Sequence, residues 1–85
     1  MGRVIKRISQ KNIIYFLQEY EKFRLDYKQE LKLFSYLIKT SLAWRLQGLY
    51  GRRANELIRA GVISKSGKIN WKKARQLLDQ YGAIF

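Results

Sequence analysis

The chain contains no cysteine, no histidine and no proline. Without Cys or His it lacks the usual ligands of zinc, copper, haem and iron–sulfur clusters, and the commonest general base at neutral pH is missing as well. No metal, cofactor, small-molecule substrate or enzymatic role is therefore expected. The absence of cysteine leaves the redox compartment open. Long apolar runs are lacking too: Lys and Arg interrupt every hydrophobic stretch well short of the roughly 18 consecutive apolar residues that a membrane span needs. The basic start, Met1-Gly2-Arg3-Val4-Ile5-Lys6-Arg7-Ile8, has neither the apolar stretch nor the small-residue cleavage site of a secretory signal. These absences predict an intracellular protein, cytoplasmic or nucleoid-associated, or encoded by a virus.

Acid is the scarce charge. Eighteen Lys and Arg against 6 Asp and Glu leave +12 on 85 residues, a length that allows one domain. A 47% hydrophobic content is enough for a core in spite of that charge. The excess is uneven: +4 over residues 1–18, −1 over 19–30 and +9 over 31–85. A near-neutral stretch containing Glu19, Asp26 and Glu30 thus separates a basic arm from a basic second half. Lys22 lies close to both Glu19 and Asp26 in helical spacing, and a solvated, salt-bridged face is expected there rather than a carboxylate site.

Glycine is equally uneven. None occurs between Arg3 and Gln47, whereas Gly48, Gly51, Gly61, Gly67 and Gly82 punctuate the rest. The expected fold class is mainly α, with amphipathic N-terminal helices followed by shorter elements. Ile13, Leu17, Tyr20, Tyr27, Leu31, Phe34 and Ile38 recur at spacings that make one helical stripe, broken only by Arg24. Ser9 is the expected N-cap. A single helix through this region would be about 60 Å long, so it either breaks or pairs with another chain. Asp26 with Gln29 offers a capping box for a break, and Thr40 or Ser41 a cap for the next helix. The expected organisation is a basic arm (1–8), an amphipathic segment (9–39) that packs on the rest or forms a homodimer, and a compact unit (40–85). The aromatics from Tyr15 to Tyr36, Phe23 among them, are expected in a core or a dimer interface, and Trp44 and Trp71 in the core, with a surface position as the alternative for Trp44 beside Arg45.

In the second half, Leu42–Gln47 reads as a short helix ended at Gly48, and Arg52–Ala60 as a second helix with Ala54, Leu57 and Ile58 inward, stopped at Gly61. Ile63–Ile69 reads as a small hairpin around Ser66-Gly67. Asn70 then caps a helix carrying Trp71, Ala74, Leu77, Leu78 and Tyr81, stopped by Gly82. This order resembles the helix-turn-helix domains of winged-helix and excisionase-like DNA-binding proteins. Gly48 falls five residues after Ala43, one more than that pattern has.

The resemblance implies a recognition helix whose outer side presents Arg52, Arg53, Asn55, Glu56 and Arg59 to base edges, Arg pairing with guanine and Asn with adenine. Arg45, Lys65, Lys68, Lys72, Lys73 and Arg75 would contact the DNA backbone, positioning without specifying. Arg3, Lys6 and Arg7 would form an arm along the phosphates or into a minor groove. The leading expectation is a double-stranded DNA binder acting in transcription or DNA architecture, of viral, phage or plasmid type. A structural RNA-binding protein such as a small ribosomal component is the alternative. A peripheral membrane protein ranks behind both, because the acids at the centre of the amphipathic segment would be repelled by anionic lipid.

Overall fold

The computed structural model describes residues 7–81. Among them are four α-helices, α1 (Ile13–Glu21), α2 (Tyr27–Lys39), α3 (Gly48–Arg59) and α4 (Trp71–Tyr81), with one 3₁₀ turn at Leu42–Trp44 between α2 and α3. No helix among the described residues is long and apolar enough to cross a membrane.

The region before residue 40 breaks into two helices. Ser9 organises a turn rather than capping the helix: its N–H donates to Asn12 Oδ1 at 2.8 Å, and α1 starts at Ile13. Ile13 and Phe16 are buried, with Leu17 and Tyr20 packed beside them on the same helical face. The end of α1 is a Schellman arrangement, in which Arg24 N–H donates to Glu19 O at 2.9 Å and Phe23 N–H to Tyr20 O at 3.0 Å. It places Phe23 at φ +58°. Three residues on, Asp26 Oδ1 accepts from Gln29 N–H at 2.8 Å, while Gln29 Oε1 accepts from Asp26 N–H at 3.1 Å. This reciprocal capping box starts α2. With the chain folded back here, the molecule measures 35 × 34 × 21 Å.

α2 is the central element, packed on α1 and on the 3₁₀ turn. Leu31, Leu33, Phe34 and Leu37 have no solvent exposure, and each contributes about 1.5–3 kcal/mol by leaving water. Tyr20 meets Phe34 edge to face at a centroid distance of 5.3 Å.

Three expectations are corrected beyond α2. The helix predicted at Leu42–Gln47 is a single 3₁₀ turn. The left-handed residue that redirects the chain is Ser41, at φ +66°. Gly48 does not make a turn but opens α3, so that helix begins a full turn before Arg52. This brings Tyr50 inward and sets the buried face as Tyr50, Arg53, Ala54 and Leu57. Trp44 and Trp71 are not core residues, being 48% and 44% exposed.

The end of α3 is as expected. Gly61 sits at φ +79°, and Val62 N–H donates to Leu57 O and Gly61 N–H to Ile58 O, both at 3.0 Å. Val62 and Ile63 then fold into the core.

The predicted wing is corrected as well. No strand forms among residues 62–70, only one antiparallel bridge between Ile63 and Ile69, with Ser64 N–H donating to Lys68 O at 2.8 Å. The ladder is too short to project, and its tip is tied down. Gly67, at φ +93°, lies against α2 so closely that a Cβ would stand 2.8 Å from Ser35 O, and Ser35 Oγ–H donates to Gly67 O. Asn70 Oδ1 accepts from Lys73 N–H at 3.0 Å, capping α4 as expected. Gly82 lies outside the described residues.

Candidate nucleic-acid interface

The acids of this chain are mostly occupied with its own architecture. Arg53 crosses from α3 to α2, its Nε 3.0 Å from Glu30 Oε2 and its Nη2 3.3 Å from Glu30 Oε1, while Nη1 is 3.1 Å from Glu56 Oε1. The Arg53 and Glu30 side chains are only 10% and 6% exposed, so this is a bidentate ion pair inside the protein. Burial opposes the charge on Arg53, but hydrogen bonding to Glu30 and its negative charge outweigh that effect and raise the guanidinium pKa. Glu21 accepts from the Tyr50 hydroxyl, Asp26 caps α2 and Glu19 lies 3.9 Å from Arg24. The expected solvated cluster of Glu19, Asp26 and Glu30 therefore does not exist as a unit, and Glu30 belongs to the core.

The bases are distributed the other way. Among the described residues, ion pairs engage only Arg24 and Arg53. Arg45, Arg52, Arg59, Lys65, Lys68, Lys72 and Arg75 are exposed, and Lys73 is half-buried.

Two adjoining grooves collect part of this charge. The first, of about 670 Å³, runs between the end of α3, the 62–70 loop and the start of α4, with Lys65 and Lys68 in its walls. Lys73 flanks it at the Gly61 end, its Cε 3.9 Å from where a Gly61 Cβ would be. The second groove, of about 340 Å³, is lined by Arg7, Lys32 and Lys39 together with Ser35 and Tyr36. Ile69 lines both, so they share a wall, and neither has an acidic residue in its lining. Docking of the Gly67 tip on α2 sets the loop against Lys39, whose Cβ would stand 3.0 Å from a Gly67 Cβ.

On α3, Arg52, Asn55, Glu56 and Arg59 are exposed at spacings of three and four and share one face. Arg53, expected with them, is a correction: it faces the core. Starting the helix at Arg52 hides this, because Tyr50, Arg53, Ala54 and Leu57 complete the inward stripe only once Gly48 is helical. Arg75 joins neither basic groove; it lines an apolar groove beside Asp26, Lys28 and Trp71. Arg45 also lines neither groove. Arg3 and Lys6 lie outside the described residues, whereas Arg7 reaches the second groove.

Sequence reasoning missed Lys32 and Lys39. Their signal was present, since Lys32, Ser35 and Lys39 form a polar helical stripe opposite the leucines of α2, but nothing local said that the distant loop would land on it.

These features define a small helical domain with two adjoining basic grooves that have no acidic residue in their linings. The family model for a domain of unknown function, DUF7417, matches residues 6–81, and the chain belongs to that family. No curated protein and no solved structure matches it.

Proposed function

We propose that this protein binds nucleic acid, with double-stranded DNA as the preferred form. In this reading the grooves around the 62–70 loop hold the phosphate backbone through Lys65, Lys68, Lys32, Lys39 and Arg7, with Lys73 beside them. α3, about 18 Å long, presents Arg52, Asn55 and Arg59 to a groove about 12 Å wide. A role in transcription or DNA architecture follows from such binding. The observation that carries the reading is the segregation of charge. Most of the acids are engaged in capping, hydrogen bonding and ion pairs, while Arg7, Lys32, Lys39, Lys65 and Lys68 line two grooves that no acid shares, which is the arrangement that lets phosphates displace counterions.

A titration of duplex DNA at several salt concentrations, with single-stranded DNA and structured RNA as competitors, tests it. Binding to duplex should weaken with salt at a log–log slope of about −0.9 per neutralised phosphate. Absence of binding, or a flat salt response, would overturn the reading. Arg52→Ala, Asn55→Ala and Arg59→Ala should reduce sequence preference, whereas Lys65→Ala and Lys68→Ala should weaken all duplexes alike.

One observation favours the RNA alternative: Arg45 and Arg75 lie away from the two grooves, as expected of a chain surrounded by phosphates on several sides. Tighter competition by structured RNA than by duplex would select that alternative.

A further inference from the structure

The end of α1 carries an energetic anomaly. Its C-terminal motif puts Phe23 in the left-handed region, where glycine is the usual occupant and a bulky residue is strained. The side chain gains nothing from its own chain in return, being 95% exposed. It stands on the rim of a groove of about 560 Å³ whose walls include Tyr20, Leu25 and Leu49, Leu49 being itself 40% exposed. One face thus holds both an unburied aromatic knob and an apolar hollow beside it. Such a patch is self-complementary under a two-fold axis.

Charge indicates the occupant. The sequence around this face, residues 19–30, is the near-neutral part of a +12 chain, so two copies can approach here without opposing their basic surfaces. Phe23 is flanked by Lys22 and Arg24, both exposed, and the hollow is walled by the exposed Glu21. A Phe23 entering the hollow of another copy brings its flanking cations toward that copy's Glu21.

We propose that a second copy of this chain docks on this face, each Phe23 filling the hollow beside Tyr20, Leu25 and Leu49 of the other. The inference is independent of nucleic-acid binding. With one aromatic side chain and one hollow per copy as its anchors, the association is expected to be reversible and concentration-dependent.

Sedimentation equilibrium of the full chain, free of nucleic acid, from micromolar to millimolar concentration tests it. The wild type should shift from monomer to dimer. Phe23→Gly should weaken that association by at least about tenfold, as loss of a central aromatic anchor does. The same variant, measured at dilution where both proteins are monomeric, should have a higher Tm, because glycine suits the left-handed backbone. Leu49→Glu, a change on the exposed wall of the hollow, should also weaken the dimer and leave the monomer folded. A wild type that stays monomeric throughout the range overturns the proposal. Unchanged association in both variants overturns it equally.

Discussion

Arg53 and Glu30 show how much one side-chain pair can decide. Replacing Arg53 by Ala leaves the Glu30 carboxylate buried without its cation and should cost about 3–5 kcal/mol in chemical denaturation. The double replacement Glu30→Met with Arg53→Met should recover most of that loss, since two apolar side chains of similar volume need no partner. Tyr20, in the same neighbourhood, supplies a pH dependence. Burial, reinforced by the nearby charge of Glu30, pushes its hydroxyl from the ordinary 10.0 up to about 12. A folded pKa above the unfolded one means that the contribution of Tyr20 is complete below pH 10 and is lost as pH rises toward about 12. The comparison is with Tyr20→Phe, whose stability should fall less over that range, keeping only the decrease due to Tyr27 and Tyr50, whose hydroxyls burial also pushes up. Urea unfolding of both proteins across that range checks the difference.

At the scale of elements, the parts legible in the sequence were those governed by neighbours a few residues away. Asp26 with Gln29, Gly61 and Asn70 were read correctly because a cap is made by a side chain or a φ angle within one turn of the helix end. Gly48 differs from expectation because glycine permits a turn without requiring one, and here the redirection falls to Ser41. A helix begun at Arg52 puts Arg53 outward, whereas one begun at Gly48 puts it on the buried face. The wing was misread for a different reason: its fate depends on Ser35, 32 residues before Gly67, and on the space that α2 leaves there. Two substitutions test these elements. Gly61→Val should cost more than about 1 kcal/mol, since a β-branched residue resists the left-handed cap. Gly67→Ala should cost about 1–3 kcal/mol from backbone strain, together with the clash at Ser35 O, and it should disturb the second groove while total helix content stays unchanged by circular dichroism.

On the scale of the whole molecule, net charge alone predicted a polyanion partner but could not say where it would sit. That required knowing which acids are used up internally and which lysines from distant segments become neighbours. If Lys32 and Lys39 each touch a phosphate, removing either should lower the magnitude of the salt slope by about one while leaving sequence preference unchanged. Their effect should match that of Lys65 and Lys68, although they come from α2 rather than from the 62–70 loop. A slope identical to wild type in Lys32→Ala and Lys39→Ala would confine the binding surface to the second half of the chain.

The tethering of the Gly67 tip to α2 also bears on how the protein meets a protease. Lys65 and Lys68 are exposed and chemically suited to trypsin, yet a protease needs several residues in extended form, and this loop is bridged at Ile63–Ile69 and anchored at its tip. Cleavage there must wait for local opening. The intact protein should therefore outlast Gly67→Ala in limited trypsinolysis, with the new early cuts after Lys65 and Lys68.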